Sequence, residues 1–284
     1  MSARLVSVVS HGRPQETDGA LRELGEIAMA HGAVLLLDAA ETRKHRLDGS
    51  EPGIRSDQPP GGKVELCVAL GGDGTILRAL HESASSGAAV FGVNFGEVGF
   101  LATVEPAQMR EGFELALAGR LELLSLPAIE IDGPGSTRRA FNDVGLHRKV
   151  GGRVAELSYT LGGEEVGSVR CDGIVVATPA GSTGYSLANG GPVLAWGVEG
   201  MVVSFVAPHS LSARALVIAP SDVLALHNCS QDALDVSIDG RPVAEIAVGE
   251  VIHARFVNAV ATLAQMPGST FYVRLRDKFG RLSR

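Results

Sequence analysis

Short, almost wholly apolar segments alternate with segments of helical spacing over residues 5–117, and this alternation limits the fold more than any other feature. The apolar segments are residues 5–9, 33–37, 64–70 and 89–93. Between the last two, Ile76, Leu77, Leu80 and Ala84 recur at helical spacing. Strands that are apolar throughout are typical of a parallel sheet with helices on both faces. We therefore predict an α/β domain with a parallel sheet over residues 1–120.

Residues 121–256 show a different pattern. Leu157, Tyr159 and Leu161 alternate with polar residues, which is the two-residue period of a half-buried strand. Gly162-Gly163 and Asp239-Gly240 fit tight hairpin turns. These features predict an all-β, sandwich-like domain.

Two further segments differ from both of these patterns. Residues 257–284 are too few to fold alone, so we expect them to pack back on the α/β domain. Residues 41–63 are rich in charge, glycine and proline, which favours a mobile loop.

Composition and charge exclude several classes of protein. A net charge of −7 argues against a nucleic-acid binder, which would carry a basic patch. No apolar run approaches the ~20 residues of a membrane span, and the first residues do not resemble a signal peptide. The three cysteines are far apart and form no metal-binding motif, so no metal ligands are predicted. We expect a cytoplasmic protein with no membrane or nucleic-acid partner.

The strongest local feature is the segment 70–75, Leu-Gly-Gly-Asp-Gly-Thr, at a strand–helix junction. In an open parallel sheet, ligands bind at the carboxyl ends of the strands. The glycines let the backbone approach a phosphate, and a helix start offers unpaired N–H groups. Because Asp73 would repel phosphate, a chemical role is indicated, such as accepting a proton from an attacking hydroxyl. The alternative is a simple turn in which Asp73 caps the helix.

The glycine segment resembles the signature shared by NAD kinases, diacylglycerol and sphingosine kinases and, more loosely, phosphofructokinases. Further segments are similar to motifs of the NAD kinases alone. They are residues 94–101, 141–144 (Phe-Asn-Asp-Val), 172–186, 190–192 and 208–214. The family commonly has Glu where this chain has Asp143. These motifs span most of the chain, so the resemblance implies the NAD kinase fold and activity.

The resemblance implies that Asp73 is the general base toward the 2′-hydroxyl of the adenosine ribose of NAD. It implies a set of substrate-binding residues: Gly72, Gly74, Asn142, Asp143, Arg170, Asp172, Thr183, Gly184 and Tyr185. In this resemblance Asn142 contacts the adenine and Asp143 a ribose, with a side chain one methylene shorter than Glu. Asp172 faces the nicotinamide end, and residues 183–185 line the base pockets.

Simpler roles remain open for several of these side chains. Arg170 and Asp172 fit a structural ion pair between strands equally well, and Tyr185 fits core packing. His209 is expected to make structural hydrogen bonds rather than to take part in catalysis. Asp239 is explained as well by a hairpin turn as by a ligand site.

NAD is the implied substrate, ATP or polyphosphate the implied phosphoryl donor, and Mg²⁺ or another divalent cation the implied cofactor with ATP. The resemblance also implies a homodimer or homotetramer.

Three alternative functions remain. A lipid kinase of the diacylglycerol or sphingosine type shares the Gly-Gly-Asp-Gly chemistry. A serine hydrolase would use Ser182, because residues 180–184 nearly match the Gly-x-Ser-x-Gly motif. A dinucleotide sensor would bind NAD without turnover.

Overall fold

The structure is a computed structural model, and it describes residues 4–58, 63–96, 99–102, 104–133 and 136–280. The chain divides into two compact units, one of Met1–Ser125 with Ala261–Arg284 and one of Leu126–Val260. Within the described ranges, no helix has both the length and the apolar character that a membrane crossing requires.

The secondary structure alternates helix and strand first and is then dominated by strands. In chain order the elements are β1 (Arg4–Ser10), α1 (Asp18–Ala30), β2 (Ala33–Leu36), α2 (Ala39–His45), β3 (Ile54–Arg55), β4 (Val64–Leu70), α3 (Asp73–Ser83), β5 (Ala89–Val93), α4 (Met109–Leu117), β6 (Glu122–Gly133), β7 (Ser136–Ala140), β8 (Asp143–Arg148), β9 (Ala155–Leu161), β10 (Glu164–Cys171), β11 (Gly173–Ala177), α5 (Tyr185–Ala188), β12 (Met201–Val206), β13 (Leu216–Ile218), β14 (Leu224–Asn228), β15 (Leu234–Ile238), β16 (Arg241–Ile246), β17 (Val251–Gln265) and α6 (Phe271–Phe279). Both β6 and β17 cross a boundary between the units.

The first unit contains the predicted parallel sheet. Its strand order is β3-β2-β1-β4-β5-β17, and every neighbouring pair is parallel. Leu24 and Phe113 from the helices pack against strand residues such as Val68 and Phe91 in one buried cluster. Leu70 lies beside Ser10 on one side and Val93 on the other, so three strands end together where the glycine segment begins.

The second unit is built from antiparallel strands, as predicted. One sheet runs β13-β12-β11-β8-β15-β16, and a second set contains β10-β9-β14-β17 and the β6–β7 pair. Their facing side chains, including Leu157 and Val176, form a single buried cluster. Gly162-Gly163 joins β9 to β10, and Asp239-Gly240 joins β15 to β16 with φ values of 48° and 74°. Two positive φ angles are typical of a tight hairpin turn.

The prediction of a loop over residues 41–63 was wrong for its first part, because α2 continues to His45. The Asp38 side chain accepts N–H bonds from Ala40 and Glu41 at 2.8 and 2.7 Å and so caps the helix. The short strand β3 also falls in this range, and residues 59–62 lie outside the described part of the chain.

Candidate active site

Asp73 is the first residue of α3, directly after the N-cap residue Gly72. Its carboxylate does not cap the helix. Oδ2 accepts the N–H of Phe100 at 2.7 Å, and Oδ1 accepts the N–H of Leu101 at 3.0 Å. A Cβ atom at Gly99 would overlap this carboxylate, so the loop after β5 approaches it closely. The capping alternative is therefore wrong, since Asp73 is fixed by the backbone of a neighbouring loop.

The glycines flanking Asp73 leave its surroundings open. Among the described residues, no heavy atom lies within 4 Å of the position of a Cβ atom at Gly72 or Gly74, and Gly74 is exposed. Gly71 donates its N–H to the Val93 carbonyl at 2.9 Å, which anchors the segment at the end of β5. The result is a rigid carboxylate beside accessible backbone, an arrangement suited to a phosphate-bearing ligand.

In the second unit, Asn142 and Asp143 lie on a backbone segment that is held from two sides. Asp239 accepts three N–H bonds, from Phe141 at 3.1 Å, Asn142 at 2.7 Å and Asp143 at 3.1 Å. On the other side, the N–H of Thr178 donates to the Asn142 carbonyl at 2.8 Å. This segment is rigid before any ligand binds, because both its N–H and C=O groups have partners.

A cleft of about 560 Å³ opens beside this segment. Its lining residues include Asn142, Asp143, His147, Tyr185, Ser237 and Asp239. The Oδ1 atom of Asn142 is buried and has no hydrogen-bond partner among the described residues. A buried acceptor without a partner costs free energy, so the Asn142 side chain is held beside the cleft at an energetic cost.

Asp143 is the most perturbed acid in the cleft. Its side chain is only 8% exposed. Burial, and secondarily the negative charge of Asp239, raises the pKa of Asp143 from 3.8 to about 7. The carboxyl group therefore changes its charge near neutral pH.

The stability of the protein is expected to reflect this shift. Below pH 3.8 Asp143 is protonated in both the folded and unfolded states. Between pH 3.8 and about 7 only the folded state keeps the proton, so the contribution of Asp143 to the free energy of unfolding falls as pH rises through this window. Asp143→Asn removes the ionisation, and it is expected to raise the free energy of unfolding at pH 8 by roughly 4 kcal/mol relative to the unmodified protein.

Denaturant unfolding at pH 4, 6 and 8 checks this prediction. The difference between Asp143→Asn and the unmodified protein is expected to grow from pH 4 to 7 and then stay constant. Asp232→Asn is the matched control, since Asp232 is exposed in the same unit. A difference that stays the same at every pH would contradict the pKa shift of Asp143.

Tyr185 lies on the cleft rather than in the core, with 43% of its surface exposed. Its ring is 5.7 Å from the ring of His147, centroid to centroid. Burial lowers the pKa of His147, which favours the neutral imidazole. The two rings form an aromatic wall that can stack against a planar group.

The loop 179–184 positions this wall. Thr183 donates its hydroxyl to the Ala180 carbonyl at 3.0 Å, and Gly184 is the N-cap of α5. Ser182 is fully buried and donates its hydroxyl to the Pro179 carbonyl at 2.7 Å. A buried, engaged serine hydroxyl does not fit the nucleophile of a hydrolase, which must be accessible.

Arg170 and Asp172 do not pair with each other among the described contacts. Asp172 accepts a hydrogen bond from Arg148 Nε at 2.5 Å, and this bond lowers the pKa of Asp172. The ion pair is thus with Arg148, one strand away, rather than with Arg170. The side chain of Arg170 is exposed and lines a groove of about 640 Å³ together with Arg148 and Arg153. His209 is exposed, and its N–H donates to the Arg170 carbonyl at 2.8 Å.

The predicted site residues thus fall into two groups. Gly72, Asp73 and Gly74 lie in the first unit. The second unit contains the rest: Asn142, Asp143, Arg170, Asp172, Thr183, Gly184 and Tyr185. Asn142, Asp143 and Tyr185 share one cleft, whereas Arg170 lines the groove.

Comparison with known proteins identifies the family of this chain. Residues 55–121 match the model of the ATP-NAD kinase N-terminal domain, and residues 141–263 match that of the C-terminal domain. The NAD kinase of Gemmatimonas aurantiaca is 35% identical over 240 residues, which cover 82% of each chain. The chain belongs to the ATP-NAD kinase family. The NAD kinase of Symbiobacterium thermophilum is 33% identical over 95% of this chain and 96% of its own.

Solved structures of NAD kinases and NADH kinases share the fold. Yeast NADH kinase complexed with NADH has a TM-score of 0.86 at 22% identity and covers 100% of this chain and 89% of its own. An NAD kinase from Archaeoglobus fulgidus in complex with ATP has a TM-score of 0.71 at 22% identity, with 98% of both chains covered. Membership of the ATP-NAD kinase family favours the NAD kinase interpretation over the lipid kinase.

Sequence reasoning missed three residues that shape this family member's site. Asp239 was left open between a hairpin turn and a ligand site, and the structure shows that it holds Asn142 and Asp143 in place. Arg274 and Lys278, in α6, have electrostatic interactions with Asp73. The turn signal at Asp239-Gly240 was visible in the sequence, but nothing there indicated that its carboxylate reaches residues 141–143.

Proposed function

We propose that this protein is an NAD kinase that transfers a phosphoryl group from ATP to the 2′-hydroxyl of the adenosine ribose of NAD, giving NADP. The observation that carries the proposal is the Asp73 carboxylate, held by two backbone N–H groups at the carboxyl end of β4 in a chain of the ATP-NAD kinase family. Phosphoryl transfer needs little covalent chemistry from the protein. A fixed carboxylate can orient the attacking hydroxyl and accept its proton.

In this proposal Asp73 accepts the proton of the ribose hydroxyl as its oxygen attacks phosphorus. Each carboxylate oxygen accepts one N–H bond in the structure, and an ionised carboxylate has about four acceptor positions. Lone pairs therefore stay available for the hydroxyl proton. Gly72 and Gly74 allow ribose and phosphates to approach the backbone.

We assign the NAD-binding role to the residues of the second unit. Asn142 contacts the adenine through its side-chain amide, and Asp143 accepts a hydrogen bond from a ribose hydroxyl. Thr183, Gly184 and Tyr185 line the base pockets, which the aromatic wall of Tyr185 and His147 supports. Arg170 and Asp172 are assigned to the nicotinamide end on the resemblance alone.

A divalent cation, Mg²⁺ in this proposal, would accompany ATP and neutralise charge on its phosphates. The described residues contain no group of three or more His, Cys, Asp or Glu side chains arranged to hold a metal ion. Mg²⁺ is commonly held by one or two carboxylates plus substrate phosphates and water. By resemblance to the family, Asp73 would help to hold this cation.

By resemblance to the family we also propose a cytoplasmic homodimer or homotetramer. Polyphosphate is retained as a second candidate donor, and no nucleic-acid or membrane partner is proposed. The net charge of −7 supports the absence of a nucleic-acid partner.

An assay of NADP formation tests the function. The purified protein is incubated with NAD, Mg²⁺ and either ATP or polyphosphate, and NADP is detected with an NADP-specific dehydrogenase. We expect NADP to accumulate with ATP and diacylglycerol to stay unphosphorylated under the same conditions. Phosphorylation of diacylglycerol but not of NAD would support a lipid kinase, and NAD binding without turnover would support a sensor.

A further inference from the structure

Helix α6 packs against the loop that holds Asp73. Thr270 caps the helix by accepting the N–H of Val273 at 3.3 Å. The ring of Phe100 lies 6.5 Å from the ring of Phe271 and 5.9 Å from that of Phe279, centroid to centroid. Phe100 is also the residue whose N–H donates to Asp73. The position of α6 is thereby tied to the position of the carboxylate.

Two cations one helical turn apart on α6 lie beside this loop. Arg274 is buried and donates hydrogen bonds to the carbonyls of Phe100 and, at 3.1 Å, of Ala102. Lys278 places its Nζ atom 4.1 Å from the centroid of the Phe100 ring. Both side chains therefore lie on the face of α6 that is turned toward the loop that holds Asp73.

The two cations differ in what they can do. The guanidinium of Arg274 is fixed on carbonyl groups, and burial lowers its pKa to about 10 while Asp73 acts in the opposite direction. Lys278 is only half-buried and carries a compact ammonium group on a flexible stem. Burial lowers the pKa of Lys278, and the charge of Asp73 opposes this shift.

We propose that Lys278 binds the phosphoryl group during its transfer, next to Asp73, and that Arg274 is a positioning residue for the loop. The inference rests on the proposed function. In the step, the bond from phosphorus to the leaving phosphate oxygen of ATP breaks and a bond to the ribose 2′-oxygen forms. Asp73 takes the hydroxyl proton. Lys278 keeps its protons and supplies positive charge where negative charge collects on the phosphoryl oxygens.

The test replaces Lys278 by methionine, which keeps the length and removes the charge. We expect kcat/KM for ATP to fall by about 10², as for the loss of one preorganised donor. The KM for NAD should stay near the unmodified value, and Lys278→Arg should recover most of the rate. Arg276→Met is the matched control, because Arg276 is on the same helix with 72% of its side chain exposed. Lys278→Gln is measured in parallel, so that the test does not depend on one variant folding.

A second measurement needs no turnover. Calorimetry with inorganic tripolyphosphate is expected to show weaker binding in Lys278→Met than in Arg276→Met. Unchanged kcat/KM and unchanged tripolyphosphate affinity in Lys278→Met would overturn the inference even if the protein makes NADP. Equal losses of tripolyphosphate affinity in Lys278→Met and Arg276→Met would also overturn it, because the effect would then come from the net charge of the helix and not from the position of Lys278. Selective loss of tripolyphosphate binding would support it even if NAD proves not to be the acceptor.

Discussion

Replacing Asp73 by asparagine is expected to lower kcat for NADP formation by about 10³, within the range that one general base contributes. Asparagine matches the shape of aspartate but accepts no proton at neutral pH, so the ribose hydroxyl must attack without a base. The Kd for NAD, measured by calorimetry, should stay nearly unchanged. Steady-state assays with saturating ATP and NAD give kcat directly.

The same substitution also has a structural effect that must be separated from the chemical one. Asp73 accepts the N–H groups of Phe100 and Leu101, and an asparagine side chain can accept only one of them. We expect a loss of about 1–3 kcal/mol in the free energy of unfolding. Assays well below the midpoint of thermal unfolding keep the variant folded. Asp277→Asn, an exposed acid of the same unit, should change neither quantity.

Unchanged kcat in Asp73→Asn would remove Asp73 from the mechanism. A loss of NAD binding together with activity would indicate that Asp73 positions the substrate rather than accepting a proton. Only a fall in kcat with retained Kd fits a general base.

The fold was predictable because its signals are local. Residues 64–70 and 89–93 are almost continuously apolar, as buried parallel strands require, and the spacing from Ile76 to Ala84 indicated a helix. In the second unit, Gly162-Gly163 and Asp239-Gly240 marked hairpins that the structure contains. Each signal lies within a few neighbouring residues, and packing did not override it.

Helix α2 was missed because the face that it buries is polar. Glu41 and His45 are 4% and 7% exposed, although both side chains are charged or polar. Ser10 provides hydrogen bonds for both buried side chains. Its hydroxyl donates to Glu41 Oε2 at 2.6 Å, and its Oγ atom lies 2.7 Å from His45 Nε2. A search for apolar periodicity does not find such a helix, because the residues that it buries are polar. The hydrogen-bond partner of Glu41 is Ser10, which lies in a strand 31 residues earlier.

The candidate site was predicted only where a continuous motif carries it. Asn142 and Asp143 stand in such a motif, and the structure adds the buried amide oxygen and the raised pKa. Their support comes from Asp239, which is separated from them by more than 90 residues. Contacts of that range depend on strand register, so they become visible only when β8 and β15 are paired.

Asp239→Ala is expected to be the most destabilising substitution near the cleft. It removes the acceptor of three N–H groups, those of Phe141, Asn142 and Asp143, and leaves them without their partner. We expect the free energy of unfolding to fall by about 3 kcal/mol. The KM for NAD should rise about tenfold, because the segment that carries Asn142 and Asp143 loses its anchor.

Asp239→Asn separates the hydrogen bonds that Oδ1 accepts from the one that Oδ2 accepts. Two of the three N–H groups, those of Asn142 and Asp143, donate to Oδ1, so an amide oxygen at that position keeps both and loses only Phe141. Asparagine also tolerates the positive φ of 48° at this turn. In denaturant unfolding, the free energy of unfolding should therefore be highest for the unmodified protein, lower for Asp239→Asn and lowest for Asp239→Ala. Asp232→Ala is the exposed control. Equal stability of the alanine variant and the unmodified protein would mean that water replaces Asp239, and that residues 141–143 are held by Thr178 and the strand pairing alone.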